Sequence, residues 1–215
     1  SGNTQVHTWL ESKNKSKWET MALTVEHRQR LIEGLKAFAE FRKQTGINAL
    51  DNYGYREALQ ILELRALLPS IDKVPGRTGA DAKAEDQGYT NIELKSNHFE
   101  KNKLTISNWP CAMFDMSKKG GKEKLYKFEG FGHGLFNSIE LTLVASYFIK
   151  KEHMYKMHPL FDKKIAQYEL FKESKETLRE AIEISLQEVI EHVDPDDIVF
   201  FKNGQIVTIR EEGEI

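Results

Sequence analysis

The sequence has 215 residues, of which 40% are hydrophobic and 30% are charged, a balance that is typical of a globular protein and excludes a disordered chain. It carries 31 Lys and Arg against 33 Asp and Glu, so the net charge of −2 neither indicates a nucleic-acid-binding protein nor excludes a local basic groove. Cys111 is the only cysteine, which excludes an intramolecular disulfide and a thiolate metal site. No run of 18 apolar residues occurs, and the first residues lack the pattern of a secretory leader. We therefore predict one domain over residues 1–215, a cytoplasmic location and no membrane association.

The N-terminal part is predicted to be a polar arm followed by a helix. Residues 1–20 are mostly polar and contain two tryptophans, Trp9 and Trp18, which favours an arm or a short helix docked by its aromatic side chains. From 24 to 43 the apolar residues recur at helical spacing, and Gly46 is a plausible stop. Those apolar residues are Leu31, Leu35, Phe38 and Phe41.

A second helix is predicted over 52–68. Asp51 or Asn52 can cap its start, and Pro69 ends it. Its broad apolar side predicts packing against a sheet, with polar residues opposite. These are Arg56, Glu57, Gln60 and Glu63. Residues 70–78 follow as a predicted loop, from their Pro and Gly content.

The segment 79–96 is predicted to form two strands with a turn at 86–88, because its later part alternates polar and apolar residues. Residues 97–103 are turn-like. Residues 104–107 are predicted to be a further strand that pairs with 92–96 in a hairpin or meander.

Two glycine-containing segments follow. Residues 118–127, KKGGKEKLYK, are basic; a solvated loop is the favoured interpretation, and a flexible phosphate-contacting loop is the alternative. Residues 128–134, FEGFGHG, lack the GK[ST] ending of a Walker motif, so a nucleotide-binding loop is rejected.

The C-terminal part is predicted to contain a strand, helical segments and a hairpin. Residues 138–149 favour a buried strand, with a helix as the alternative. Residues 162–192 have a helical pattern, in one or two pieces. Asn203-Gly204 predicts a β-hairpin within 195–211, because this dipeptide suits the primed turn. The predicted fold is thus mixed α/β (α+β), a central mixed sheet flanked by helices, with a long C-terminal helix and the hairpin.

Asp81, Glu93 and Lys95 are the candidate catalytic residues. Strand alternation projects Glu93 and Lys95 from one face. Two carboxylates close in space can hold Mg²⁺ through oxygen ligands, and the backbone carbonyl of Leu94 can join them. The metal neutralises a phosphodiester and activates a bound water, while an adjacent lysine orients that water or stabilises the charge.

On these residues the sequence resembles the PD-(D/E)xK nuclease superfamily, and GADA leading into IELKS is especially similar to its type II restriction endonucleases. The family has Pro where this chain has Ala80. The resemblance implies a restriction-endonuclease-like core over 50–110. It implies hydrolysis of double-stranded DNA with Mg²⁺, or with Mn²⁺ as a substitute. Asp81 and Glu93 would be metal ligands, and Lys95 the water-orienting residue.

The resemblance also implies further site residues and partners. Many members add a glutamate from the preceding helix; Glu57 and Glu63 both qualify, and we choose Glu57 because it lies nearer the helix start. A homodimer and a cognate methyltransferase are expected from the family. The candidate DNA contacts are Lys83, Asn97, Lys103, Asn108, Lys118 and Lys119.

Other chemistries fit the sequence less well. His98 and His133 suit surface or turn positions better than metal ligation, and no G-x-S-x-G of a serine hydrolase occurs. Two alternatives stay open. The first alternative is a non-catalytic nucleic-acid- or protein-binding module with structural acids. The second is a repair or recombination nuclease that uses the same motif.

Overall fold

A computed structural model describes residues 25–47, 54–75, 79–137, 141–174 and 180–209. The chain divides into two units, Ser1–Gly46 and Ile47–Ile215. The predicted arm over 1–20 lies outside the described residues. In the first unit, helix α1 spans Val25–Thr45. It ends at Gly46, which has a φ of 76° and donates its N–H to the Arg42 carbonyl at 2.7 Å. The predicted first helix and its glycine stop are confirmed.

The second unit contains short and long elements of both kinds. Its described strands are β1 (Asp72–Lys73), β2 (Ala82–Ala84), β3 (Tyr89–His98), β4 (Ala112–Asp115), β5 (Gly130–Phe136), β6 (Leu143–Ile149), β7 (Ala181–Ile184), β8 (Ile198–Lys202) and β9 (Gln205–Val207). Its described helices are α2 (Gly54–Leu64), α3 (Gly121–Leu125), α4 (Lys151–Met154), α5 (His158–Glu173) and α6 (Leu186–Ile190). Among the helices of the described ranges, none is long and apolar enough to cross a membrane.

Seven of the described strands form one sheet in the order β1-β2-β3-β5-β6-β8-β9. The β3–β5 pair is parallel, and the other neighbours are antiparallel. Strands β4 and β7 form a separate antiparallel pair. The chain is therefore a mixed α/β protein with a central, mostly antiparallel sheet flanked by helices, as predicted at this level of detail.

The two faces of the sheet bury different elements. Helix α2 turns Ala58, Ile61 and Leu64 inward and packs on one face, as its broad apolar side predicted. The other face meets β4 and α5. There the Phe114 ring lies 5.5 Å from Phe131 of the sheet and 6.4 Å from Phe161 of α5, measured between ring centroids.

Strand β5 is buried along its whole length, and its glycines explain how. A Cβ built on Gly130 would lie 2.8 Å from the Phe148 ring, and one on Gly132 would lie 2.8 Å from Leu94 Cδ2. One built on Gly134 would lie 2.8 Å from Gln60 of α2. The glycine-rich segment that does not fit a Walker motif is the central strand, with glycine wherever a neighbour comes close.

Several local predictions are confirmed. The turn between β2 and β3 is at Glu85–Gln87 and Gly88, as predicted for 86–88. Within the segment 138–149, the described residues Leu143–Ile149 form a strand rather than a helix. The C-terminal hairpin turns at Asn203 (φ 50°) and Gly204 (φ 77°), the positive values of a primed turn. The predicted caps of α2, Asp51 and Asn52, lie outside the described residues.

The predicted strand over 104–107 is wrong. The Asn108 side chain accepts a hydrogen bond from Thr105 N at 2.9 Å and donates one to the Lys103 carbonyl at 2.9 Å, which folds this segment into a turn. The edge of β3 that it would have joined is paired with β5 instead. Side-chain-to-backbone bonding overrides the alternating pattern here.

Three further segments differ from prediction. The loop predicted over 70–78 contains β1, which pairs with β2. The segment 118–127 is not a loop throughout, since it contains α3. The helical pattern over 162–192 is interrupted by β7. Helix α6 then starts anew with Ser185 and Glu188 as a capping box. Ile182, expected on a helix, faces inward from the strand.

We expect Tyr147→Phe to raise the free energy of unfolding by about 1 kcal/mol, because the Tyr147 hydroxyl is buried without a hydrogen bond to any described residue. The ring itself packs on Trp109 at 5.3 Å and is unaffected. Tyr89→Phe is the matched control. The Tyr89 hydroxyl accepts a hydrogen bond from Lys151 N at 3.1 Å, so its loss should destabilise. Urea unfolding of both variants measures the free energy of unfolding. A change of the same sign in both variants would contradict the expectation.

Candidate active site

The hairpin of β2 and β3 brings Asp81 to the middle of β3. Its N–H donates to the Ile92 carbonyl at 3.0 Å, which holds the backbone just before β2. Its carboxylate Oδ2 accepts a hydrogen bond from Leu94 N at 2.8 Å. The Asp81 carboxylate therefore lies beside the backbone that joins Glu93 to Lys95.

Glu93 is a buried carboxylate, 3% exposed, held between two lysines. Lys95 Nζ lies 2.7 Å from its Oε1, and Lys124 Nζ of α3 lies 3.0 Å from its Oε2. Oε2 is shielded from solvent and forms no aligned hydrogen bond with any described residue. Lys95 also lies over the Phe114 ring, 5.1 Å from its centroid. The strand alternation that the sequence predicted for Glu93 and Lys95 is confirmed.

Asp81 is electrostatically coupled to these groups. Burial, and then the negative charge of Glu93, raise the pKa of Asp81 to about 6, although the hydrogen bond from Leu94 and the charge of Lys95 oppose the shift. A carboxylate whose charge raises the pKa of Asp81 in this way is close enough to repel it. A shared cation would relieve this repulsion.

A cleft of about 520 Å³ opens onto this group. Asp81, Glu93 and Lys95 all line it, together with Asp115 and Phe114. Its other charged lining residues are Lys118, Lys119, Lys124 and Lys127. The cleft thus combines the buried Glu93 and the half-buried Asp81, which suit a cation, with exposed or half-buried lysines, which suit phosphate.

Only some of the predicted DNA contacts lie in the cleft. Lys118 and Lys119 line it. Lys83 is outside and pairs with Glu85 at 3.0 Å. Neither Lys103 nor Asn108 lines it, and the Asn108 amide is used in its own turn.

Asn97 also lies outside the cleft and is bound to His133. The Trp109 indole N–H donates to His133 Nδ1 at 3.3 Å, so Nε2 carries the proton and donates to Asn97 Oδ1 at 2.6 Å. His133 is fully buried, which corrects the expectation of a surface or turn position. Burial lowers the pKa of His133 to about 3, so this histidine is neutral.

The two candidate helix glutamates have different surroundings. Glu57 forms an ion pair with Lys73 at 3.2 Å, and its charge contributes to the raised pKa of Asp81. Glu63 accepts a hydrogen bond from the Ser146 hydroxyl of β6. Neither lines the cleft, and Glu57 is the one in electrostatic range of Asp81.

Burial raises the pKa of Glu63 to about 7, and this predicts a pH-dependent stability. Between pH 4.5, the ordinary pKa of this carboxyl, and pH 7, the folded state holds a proton that the unfolded state has released. Stability from this group is therefore present at pH 4.5 and lost as the pH rises through 7. We expect the free energy of unfolding to fall by about 2 kcal/mol between pH 5 and 8 on this account. Glu63→Gln should remove most of that fall, and Glu57→Gln should leave it. Urea unfolding across this pH range measures both, and an unchanged slope in Glu63→Gln would contradict the assignment.

The sequence interpretation missed Lys124 and Lys127 as cleft residues. The signal that could have found them is the density of lysines around two glycines in 118–127, for which a solvated loop was the favoured interpretation. Helix α3 gives this segment a fixed geometry and turns Lys124 toward Glu93.

The sequence matches no protein-family model, and no match is found among curated proteins. Among the described residues, no cluster of three or more His, Cys, Asp or Glu side chains is grouped closely enough to bind a metal ion. Asp81 and Glu93 offer two carboxylates, to which a backbone carbonyl can add a third oxygen.

Proposed function

We propose that this protein is a Mg²⁺-dependent endonuclease that hydrolyses phosphodiester bonds of double-stranded DNA, acting as a type II restriction enzyme and as a homodimer. The observation that carries the proposal is the meeting of Asp81, Glu93 and Lys95 in a lysine-lined cleft. Phosphodiester hydrolysis needs charge neutralisation at the phosphate and an activated water, and this group of residues suits both needs.

The residues fit a divalent cation with oxygen ligands. Glu93 Oε2 is buried without an aligned hydrogen bond, and repulsion from Glu93 helps to raise the pKa of Asp81. The N–H and C=O of one strand residue point to the same edge, so the Leu94 carbonyl belongs to the edge that carries Asp81. Asp81, Glu93 and this carbonyl would hold Mg²⁺, which supplies charge neutralisation and a lowered pKa of bound water.

The lysines would orient the water and bind the phosphates. Lys95, 26% exposed, contacts both Glu93 and the cleft, so its ammonium can orient a water or stabilise charge on the phosphate. Lys118 and Lys119 are exposed on the cleft and can bind phosphates of the same duplex.

The fold is compatible with the restriction-endonuclease-like core that the resemblance implies. Helix α2 precedes the strands, and β1, β2 and β3 follow in antiparallel order. Strand β5 then lies parallel to β3 on its other side. Asp81 and Glu93 come from the β2–β3 pair of this arrangement.

Incubation with genomic DNA of mixed sequence tests the proposal. Purified protein should produce discrete bands in Mg²⁺ and leave the DNA intact in EDTA. A smear would instead favour a repair or recombination nuclease with the same site, and intact DNA in both Mg²⁺ and Mn²⁺ would refute a nuclease.

A second candidate is a non-catalytic nucleic-acid-binding module. It is favoured by the ion pairs that both Glu93 oxygens form with lysines, which give the carboxylate a structural role of its own. On this account the protein binds duplex DNA, Glu93→Gln unfolds more easily, and no cleavage occurs with any divalent cation.

A further inference from the structure

Lys124 is the unexpected member of the cleft. It lies on α3, beyond the segment that carries Asp81 and Glu93, and its Nζ is 3.0 Å from Glu93 Oε2. The two groups are close but are not aligned for a hydrogen bond, and Oε2 has no hydrogen-bond partner among the described residues. Lys124 therefore supplies charge to Glu93 without fixed bonding.

Lys95 and Lys124 differ in how firmly they are held. Lys95 comes from the same strand as Glu93, and its side chain is 26% exposed. The Lys124 side chain is 41% exposed and lies over the Phe128 ring, 5.6 Å from the centroid. The contribution of an ion pair falls as its groups become more exposed to solvent, and Lys124 is the more exposed of the two lysines. Of the two lysines, Lys124 is the one that a competing cation would displace.

We propose that Lys124 is an exchangeable counter-ion. It neutralises Glu93 Oε2 in the free protein, yields that oxygen when a divalent cation binds, and then has its ammonium available for a DNA phosphate in the same cleft. This inference rests on the proposed function. It assigns to Lys124 a phosphate contact that exists only in the metal-bound state.

The first test measures Ca²⁺ affinity by calorimetry, because Ca²⁺ takes the same oxygen ligands. Lys124→Gln should bind Ca²⁺ roughly fivefold more tightly than wild type, since the cation no longer competes with an ion pair of that strength. Lys124→Arg keeps the charge and should bind no more tightly than wild type. Lys127→Gln is the matched control. This substitution removes the same charge from the same cleft, but the native Lys127 forms no ion pair among the described residues. The Ca²⁺ affinity of Lys127→Gln should therefore stay within about twofold of wild type.

The second test measures duplex DNA affinity by fluorescence anisotropy over a range of salt, in Ca²⁺ and in EDTA, with the duplex checked for integrity afterwards. In Ca²⁺, Lys124→Gln should lower the slope of log affinity against log salt by about 0.9, the value for one phosphate contact. In EDTA its slope should equal that of wild type, because Lys124 is then paired with Glu93. Thermal melting of each variant checks that the fold is retained.

The outcomes separate the inference from the function on which it rests. If wild type binds Ca²⁺ and cuts DNA in Mg²⁺, but Lys124→Gln matches Lys127→Gln in Ca²⁺ affinity, the counter-ion inference is overturned and the nuclease stands. A salt slope lowered equally with and without metal also overturns it. If wild type neither binds Ca²⁺ nor cuts DNA, the proposed function itself fails and the inference fails with it.

Discussion

Replacing Glu93 with Gln is expected to lower the rate of DNA cleavage by about 10³-fold while duplex binding is retained. The substitution exchanges one oxygen for an amide nitrogen and so keeps the side-chain shape. It removes the charge that would hold the cation, in a position only 3% exposed where water cannot replace it. Initial rates of plasmid cleavage in Mg²⁺, with DNA affinity measured in parallel, test this expectation.

Two companion variants sharpen the result. Lys95→Ala should also lose cleavage by about 10²- to 10³-fold, because the ammonium beside Glu93 is gone. Glu123→Gln makes the same chemical change on α3, at an exposed position next to Lys124 and outside the cleft lining, and should cut at the wild-type rate. Full Mg²⁺-dependent activity in Glu93→Gln or Lys95→Ala would refute the assigned roles.

Adding one methyl group at Gly130 is expected to destabilise the second unit by about 3 kcal/mol. The new Cβ would lie 2.8 Å from the Phe148 ring and 3.3 Å from the Tyr89 ring. Phe148 is fully buried, so its ring can move aside only by displacing other core residues. Strand β5 pairs with β3 in register with Glu93, so Gly130→Ala should also disturb the cleft. Urea unfolding gives the free-energy change.

The double variant Gly130→Ala/Phe148→Leu provides the internal control. Removing the ring removes the clash. The loss of unfolding free energy in the double variant should therefore be smaller, by at least about 1 kcal/mol, than the sum of the losses in the two single variants. Gly34→Ala on α1 is the matched glycine control, because its Cβ would meet no atom of the described residues within 4 Å. It should leave the unfolding of the second unit unchanged. Additive effects of Gly130→Ala and Phe148→Leu would contradict the packing explanation.

The site residues predicted from the sequence were the ones joined by local structure. Asp81 and Glu93 are twelve residues apart, across one tight turn, and strand alternation fixes the face of Glu93 and Lys95. The position of Lys124 beside Glu93 could not be predicted from such local patterns. It approaches Glu93 through the connection that leads from β3 to the parallel strand β5, and such pairing leaves no local signature.

The elements that were predicted wrongly share a physical cause. Ile182 suits a helical stripe as well as a strand, and only its pairing partner on β4 decides between them. The alternation over 104–107 is that of a strand, yet the Asn108 amide satisfies the backbone locally. By contrast, the turn at Asn203-Gly204 was predicted correctly because positive φ values are a property of those two residues themselves.

Plasmid cleavage by metal-stripped protein, with Mg²⁺ added back, tests the central claim most directly when wild type, Asp81→Asn and Asp115→Asn are compared. Asp115 lines the same cleft, but its carboxylate is bound to Ser117 and it forms no part of the Asp81–Glu93 pair. We expect Mg²⁺ to restore cleavage in wild type and Asp115→Asn, and the plasmid to stay supercoiled with Asp81→Asn. Cleavage by Asp81→Asn at the wild-type rate, or an intact plasmid with wild type, would contradict the claim that Asp81 and Glu93 form the metal site of a nuclease.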